Sequence, residues 1–170
     1  MARIVLVTGG CRSGKSAYAQ CLAESLPPRA ACTHGRLFVA TCPVTDEEIQ
    51  DRIQQHRQAR RDRGWETVEE QCDLSGVFRR HGQHHVLLVD CITLWINNLM
   101  YHAQREGRSL AEADVAEQCR QMLETAETCR GTVIFVTNEV GLGVVPENHQ
   151  ARRYRDLVAL WPSGRFGVDR

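Results

Sequence analysis

The clearest chemical signal in the sequence is a glycine-rich loop that ends in a lysine and a serine. Residues 4–16 read I-V-L-V-T-G-G-C-R-S-G-K-S, and Gly9, Gly14, Lys15 and Ser16 match the phosphate-binding pattern G-x-x-x-x-G-K-[ST]. Glycines let a backbone approach phosphates closely, and the N–H groups at a helix start attract the anion. Lys15 is expected to contact the β- and γ-phosphates, and the Ser16 hydroxyl to bind Mg²⁺. A glycine-rich turn without a ligand is the alternative, but the apolar strand before the loop and the amphipathic helix after it favour a nucleoside triphosphate site.

A carboxylate at the end of a second apolar run is the expected partner of this loop. Asp90 follows the apolar run Val86–Val89, which predicts a buried strand. In enzymes with such a loop, a strand-ending aspartate holds Mg²⁺ directly or through water. An aspartate that only caps the next helix is the alternative, and the loop at residues 9–16 makes the metal role the preferred interpretation. We therefore predict that Ser16 and Asp90 hold Mg²⁺ together.

The elements that must position these residues alternate between strand and helix along the chain. Apolar runs predict strands at residues 4–7, 37–40, 65–69, 86–89 and 133–136. Amphipathic patterns and capping signals predict helices at residues 15–26, 46–63, 74–80, 92–100, 110–129 and 147–160. Ser109 and Glu112 are expected to form a capping box, and residues 81–85 a polar loop. This alternation predicts one α/β domain over residues 1–170, with a mainly parallel sheet flanked by helices in three layers.

Ligands of such sheets bind where the strands end, so four segments are expected to meet there. They are residues 9–16, Thr41–Cys42, Asp90–Cys91 and residues 137–143. Asn138 and Glu139 are polar residues that directly follow a buried strand, so we expect them to contact a substrate or to activate its hydroxyl. A simple helix-entry turn is the alternative for this last segment.

Residues 46–63 predict an unusual helix that is crowded with arginines and carries one histidine, His56. Arg52 and Arg60 lie four residues before and after His56, so the three side chains share a helix face. Arginines bind polyphosphate and stabilise charge on a transferred phosphoryl group, and an imidazole can act as base or nucleophile near neutral pH. A solvated, charged helix face with an incidental histidine is the alternative, and the residue pattern alone favours it.

Composition and cysteine spacing argue against several classes of function. The formal net charge is +0, so the chain has no overall attraction to nucleic acid or acidic membranes. No apolar run is long enough for a membrane span, and the early first strand argues against a signal peptide. None of the 8 cysteines forms a C-x-x-C pair, and His81, His84 and His85 lack the spacing of a zinc site. We expect reduced thiols and a cytoplasmic protein.

Several motifs together resemble one enzyme family over nearly the whole chain, to about Leu160. They are T-G-G-C-R-S-G-K-S (8–16), V-A-T-C (39–42), D-E-E-I-Q-D-R-I-Q-Q-H-R (46–57), G-W-E-T-V-E (64–69), V-D-C-I-T-L-W-I-N-N-L (89–99) and T-N-E-V-G-L-G-V-V-P-E-N (137–148). This combination is similar to the bifunctional adenosylcobinamide kinase / adenosylcobinamide-phosphate guanylyltransferase family of cobalamin biosynthesis. The combination is specific, whereas the loop alone is not. The resemblance implies a P-loop NTPase fold with a RecA-like sheet, and a homo-oligomer whose expected form is a trimer.

The resemblance also implies two reactions. A nucleoside triphosphate, GTP or ATP, phosphorylates adenosylcobinamide; GTP then donates GMP to that phosphate, giving adenosylcobinamide-GDP and pyrophosphate. In the family the guanylyl group passes through the histidine of an R-I-x-x-H-[RK] pattern, which makes His56 the nucleophile and reverses the preference stated above. The resemblance implies catalytic roles for His56 and Lys15, and nucleotide contacts by Gly9, Gly10, Cys11, Arg12, Ser13, Gly14, Lys15, Ser16, Ala40, Thr41, Cys42, Arg57, Gln58, Ala59, Arg60, Glu69 and Asp90.

The end of the chain departs from the family's pattern. Members usually continue past the last helix into another apolar strand, whereas residues 161–170 here read W-P-S-G-R-F-G-V-D-R. We therefore expect an atypical tail and a sheet that lacks its terminal strand, which would leave an edge exposed. Two other functions stay open: a small-molecule kinase that forms no covalent intermediate on histidine, or a nucleotide-binding remnant without turnover.

Overall fold

A five-stranded parallel sheet lies at the centre of the computed structural model, which describes residues 1–43, 54, 58–140 and 147–161. The strands are β1 (Arg3–Gly9), β2 (His34–Ala40), β3 (Trp65–Glu69), β4 (His84–Asp90) and β5 (Thr132–Asn138). Their order is β1-β5-β4-β2-β3, and every neighbouring pair is parallel. The central strands β4 and β5 are continuous runs of buried residues, as expected when helices cover both faces. All five predicted strands are confirmed.

Helices lie on both faces of this sheet, which confirms the predicted three-layer α/β class. The described helices are α1 (Lys15–Ser25), α2 (Leu74–His81), α3 (Ile92–Arg105), α4 (Glu112–Glu127) and α5 (His149–Ala159). Helix α1 packs Ala19 and Ala23 against one face, and the buried side chains of α2 to α5 pack against the other. Among the described residues, no helix has both the length and the apolar character that crossing a bilayer requires.

Several predicted helix boundaries are shifted, most of all at the end of α3, and one predicted helix is only partly described. Helix α3 continues to Arg105, beyond the predicted end at Met100, because Ala103 still packs in the core. Helix α4 begins at Glu112, and the Asp114 carboxylate accepts a hydrogen bond of 2.9 Å from the Ala111 N–H, so the predicted box of Ser109 and Glu112 does not form. Of the predicted helix at 46–63, residues 54 and 58–62 are helical, while 44–53 and 55–57 lie outside the described residues.

The predicted polar loop at residues 81–85 is wrong at its last two positions, because His84 and His85 are buried members of β4. The Nδ1–H of His84 donates to the carbonyl of His81 at 2.9 Å, and the His34 and His81 rings lie 5.0 and 5.4 Å from its ring. His85 uses Nε2 to bond the carbonyl of Leu26 at 3.1 Å. An imidazole can be buried when its polar atoms find such partners, which polarity alone does not reveal. Among the described residues, no group of three His, Cys, Asp or Glu side chains is placed to hold a metal ion.

The first residue of the expected tail belongs to the core. Trp161 is 2% exposed, and its ring meets the Phe135 ring edge-on with centroids 5.2 Å apart. The atypical segment therefore begins after Trp161, and residues 162–170 lie outside the described residues. The expected loss of a terminal strand stays a prediction. All eight cysteines are unpaired.

Trp161→Ala is expected to lower the free energy of unfolding by about 3–5 kcal/mol, because it removes a buried aromatic ring and leaves a cavity. Tyr101→Ala is the control, since Tyr101 is 57% exposed, and we expect it to change stability by less than about 0.5 kcal/mol. Urea unfolding followed by circular dichroism measures both values. An equally small decrease in the free energy of unfolding of both variants would show that Trp161 is not part of the core.

Candidate active site

The loop between β1 and α1 has the backbone of a phosphate cradle. Gly14 precedes α1 with a φ of +84°, a left-handed conformation that glycine adopts without strain, and Arg12 has a φ of +58°. No side chain of the described residues caps the start of α1. The N–H groups of its first turn are therefore available to an anion, which the positive end of the helix dipole also attracts.

The loop is compact, and Lys15 folds back over it. A Cβ at Gly9 would come within 2.9 Å of the Ser13 Oγ, so a larger residue there would require the Ser13 side chain to shift. The Ser13 N–H donates to the Gly10 carbonyl at 3.3 Å, and the Lys15 ammonium donates to the same carbonyl at 3.1 Å. The ammonium group thus lies on the loop itself, where the predicted phosphates would be.

Asp90 and Ser16, predicted from separate parts of the sequence, meet in the structure. The Ser16 hydroxyl lies near enough to the Asp90 carboxylate to lower its pKa, and the charges of Lys15 and Arg60 act on the same carboxylate. Burial raises the pKa of Asp90, and it outweighs the lowering by Ser16, Lys15 and Arg60. A hydroxyl and a carboxylate are oxygen donors of the kind that Mg²⁺ prefers, so this pair fits the ion.

Arg60 approaches the site from the sheet face that α1 also covers. It is 8% exposed, and its guanidinium lies 3.8 Å from the centroid of the Phe38 ring on β2. The residues after Arg60 are bonded to α1. The Trp65 Nε1–H donates to the Glu24 carboxylate at 2.8 Å, and Arg63 forms an ion pair with the same carboxylate. These contacts hold a positive charge near Asp90.

The other residues predicted from the arginine-rich segment are exposed or undescribed. Gln58 and Ala59 are exposed, and the Gln58 amide donates to Asp62 at 2.9 Å. Glu69 is an exposed residue at the end of β3. His56 and Arg57 lie outside the described residues, so their predicted roles stay predictions.

The ends of β2 and β4 are joined by a buried threonine. The Thr41 hydroxyl accepts a hydrogen bond from the Cys91 N–H at 2.8 Å and donates to the Cys91 carbonyl at 2.9 Å. The side chain of Thr41 is 0% exposed, so it has no surface for the expected nucleotide contact.

The Cys42 thiol lies near Asp90. Burial, and then the Asp90 charge, raises the pKa of this thiol, which disfavours the thiolate. The peptide bond between Asp90 and Cys91 is cis.

Asn138 and Glu139 lie at the predicted edge, but they differ in surroundings. The Asn138 amide donates to the Thr93 hydroxyl at 3.0 Å, so its N–H group serves the protein itself. The exposed Glu139 carboxylate accepts a hydrogen bond of 3.5 Å from Thr8. Glu139 is therefore better placed than Asn138 for the predicted contact with a substrate, while residues 141–146 lie outside the described residues.

Sequence reasoning missed several polar residues that support the site. The Asn98 amide donates to the carbonyls of Thr41 and Gln71 at 2.8 and 3.1 Å, and the Tyr154 hydroxyl donates to the Thr93 carbonyl at 3.1 Å. Asn98 was detectable in principle, because an asparagine within the apolar helix 92–100 needs hydrogen-bond partners once buried. The partners of Glu24 and Tyr154 come from distant parts of the chain and leave no local pattern.

Asp90→Asn is expected to raise the free energy of unfolding at pH 7 in the absence of nucleotide and metal. Because the native pKa lies above the unfolded value of about 3.9, ionisation of Asp90 at neutral pH costs native stability. The advantage of the variant should shrink as the pH falls toward about 4. Urea unfolding between these pH values measures it, with exposed Asp62→Asn as control. A less stable Asp90→Asn protein at pH 7 would contradict the burial cost.

Comparison with known proteins agrees with the motifs and the geometry. The family model described as cobinamide kinase / cobinamide phosphate guanyltransferase matches residues 5–161. The chain is 33% identical over 162 residues to the bifunctional adenosylcobalamin biosynthesis protein CobU of Escherichia coli (strain K12), an alignment that covers 91% of this chain and 84% of that protein. It is 38% identical over 152 residues to the bifunctional adenosylcobalamin biosynthesis protein CobP of Pseudomonas aeruginosa, covering 89% and 80%.

A third relative, the CobU protein of Salmonella typhimurium, is 32% identical over 161 residues, covering 91% of this chain and 84% of that protein. The match spans both halves of the candidate site, from the loop at Gly9 to the residues around Asn138. It confirms the family resemblance and the P-loop fold inferred from the motifs. The chain belongs to the cobinamide kinase / cobinamide phosphate guanyltransferase family.

Proposed function

We propose that this chain phosphorylates adenosylcobinamide with GTP or ATP and then transfers GMP from GTP to the product, giving adenosylcobinamide-GDP and pyrophosphate. The observation that carries the proposal is the meeting of Lys15, Ser16 and Asp90 at one end of the sheet, in a chain of this family. Its relatives are named as bifunctional adenosylcobalamin biosynthesis proteins.

In the kinase step, the loop and α1 hold the triphosphate while the hydroxyl of adenosylcobinamide attacks the γ-phosphorus and loses its proton. The bond from the γ-phosphorus to the bridging oxygen breaks, and the nucleoside diphosphate leaves. The N–H groups of residues 9–16 bind the phosphates, and Lys15 moves from the Gly10 carbonyl onto the β- and γ-phosphates. Ser16 and Asp90 would hold Mg²⁺, which neutralises phosphate charge when it is bound. Glu139 is an exposed carboxylate beside the loop, because its N–H donates to the Gly9 carbonyl at 3.1 Å, and we propose that it and Asn138 face the substrate.

In the transfer step, His56 is the proposed nucleophile. An imidazole nitrogen attacks the α-phosphorus of GTP, a P–N bond forms, the bond to the β-phosphate breaks and pyrophosphate leaves. A phosphate oxygen of adenosylcobinamide phosphate then attacks the same phosphorus, and the P–N bond breaks. Arg60 supports this assignment, because it follows His56 by four residues and its charge acts at Asp90. Arg57, Gln58, Ala59 and Glu69, with Ala40 and Cys42 at the end of β2, complete the proposed nucleotide contacts.

The resemblance also leads us to propose that the chain works in the cytoplasm as a homo-oligomer, with a trimer as the simplest form. Its substrates are then adenosylcobinamide, the phosphate of that compound and a nucleoside triphosphate, and no nucleic acid takes part. The net charge of +0 agrees with a small-molecule substrate.

Incubation with GTP labelled at the α-phosphate tests the covalent step. The wild-type protein is expected to retain label that acid removes and base does not, as a phosphoramidate requires, and His56→Ala is expected to retain none. His102→Ala is the matched control, because His102 is an exposed histidine on α3. Phosphorylation of adenosylcobinamide without any protein label would favour the simple kinase. Nucleotide binding without either product would favour the remnant.

Lys15 permits a direct test of the triphosphate site, because it is the only lysine in the chain. An amine-reactive ester can modify only Lys15 and the amino group of Met1. GTP with Mg²⁺ is expected to protect Lys15 and to leave Met1 reactive, as measured by mass spectrometry of peptides.

Lys15→Ala should lower the rate of adenosylcobinamide phosphorylation by about 10²-fold or more. Full activity of that variant, or no protection by any nucleotide, would exclude the assigned loop.

A further inference from the structure

We propose that Thr41 is a positioning residue, whose buried hydroxyl fixes the backbone of Cys91 and thereby holds the Asp90 carboxylate against Ser16. The inference rests on the proposed function, because it assigns Asp90 a role in Mg²⁺-dependent nucleotide binding. It gives Thr41 a task that differs from a direct nucleotide contact.

The first support is the number of bonds that Thr41 makes to two successive residues. Its hydroxyl accepts from the Cys91 N–H at 2.8 Å and donates to the Cys91 carbonyl at 2.9 Å. Its own N–H donates to the Asp90 carbonyl at 3.2 Å. The regular pairing of β2 with β4 ends at Ala40 and Asp90, so these bonds continue the connection beyond the last strand pair.

The second support is the burial of all the groups involved. Thr41 is 0% exposed and Cys91 is also buried, so bulk water does not reach the hydroxyl or the backbone groups that it bonds. A buried N–H or carbonyl without a partner is costly, and the local backbone would have to move to find another. The residue that would move with it is Asp90, which is joined directly to Cys91.

The third support is that Thr41 is itself held in place. The Asn98 amide on α3 donates to the Thr41 carbonyl at 2.8 Å and to the Gln71 carbonyl at 3.1 Å. On the other side, the Cys91 thiol lies 3.1 Å from the Thr93 hydroxyl, which also accepts from Asn138. The hydroxyl of Thr41 therefore acts from a fixed point, and its removal takes away one of the contacts that fix the end of β4.

Calorimetric titration with GTP, in the presence and absence of Mg²⁺, tests the inference on the whole protein. Thr41→Val keeps the shape and removes the hydroxyl, and we expect about tenfold weaker GTP binding with Mg²⁺ and little change without it. Thr41→Ser keeps the hydroxyl and should bind within about twofold of wild type. Thr67→Val is the matched control on β3, because the Thr67 hydroxyl is buried with no hydrogen-bond partner among the described residues.

The outcomes separate this inference from the proposed function. If wild-type protein shows no Mg²⁺-dependent binding of GTP, the proposed function fails. Suppose that wild-type protein shows Mg²⁺-dependent binding of GTP. If Thr41→Val then binds GTP as tightly as wild type, or if its affinity falls equally with and without Mg²⁺, Thr41 is not a positioning residue for Asp90. Should Thr41→Val not fold, Thr41→Ala and Thr41→Ser are compared, since both lack the methyl and differ in the hydroxyl. Unfolding of both hydroxyl-free variants beside a normal Thr41→Ser would also overturn the inference, because the hydroxyl would then serve the fold as a whole.

Discussion

The burial of one carboxylate organises the site in this protein. Asp90 stands at the end of a strand that is covered on both faces, and its pKa is raised because its surroundings solvate the charge less well than water does. Ser16, Lys15 and Arg60 each act against this cost; the first two lie in the first turn of α1, and Arg60 lies in the segment before β3. A site with this arrangement favours an additional positive charge, which a divalent ion accompanying a nucleotide would supply.

The two faces of the sheet serve different purposes. Helices α2 to α5 cover one face with a large apolar cluster that includes Trp95, Phe78 and Trp161. The described part of the other face packs against α1 and against residues near Arg60, which stacks on Phe38. Glu24 connects α1 to the segment that follows Arg60, because its carboxylate contacts both Trp65 and Arg63. The face with the smaller apolar cluster thus carries the charged groups that surround the loop.

A single loop can serve both proposed reactions because both begin with a bound triphosphate. In the kinase step the γ-phosphorus is attacked by the substrate, and in the transfer step the α-phosphorus is attacked by the proposed nucleophile His56. What differs is which group reaches the phosphate chain, while the contacts of Lys15, Ser16 and Asp90 can remain the same. Use of one set of phosphate contacts in both steps is consistent with two activities in a chain of 170 residues.

Local sequence determined the strand positions, the α/β class, the loop from Gly9 to Ser16 and the place of Asp90 at the end of a strand, because apolar runs and glycine spacing act over a few residues. Family motifs, not local physics, supplied the candidate nucleophile His56. Only the tertiary structure decided that His84 and His85 are buried and that Trp161 packs in the core. It also decided that the Thr41 hydroxyl bonds to the backbone of Cys91, and that the Glu24 carboxylate accepts a hydrogen bond from Trp65. These contacts join residues up to tens of positions apart, so the partners are known only once the strands have been ordered in the sheet.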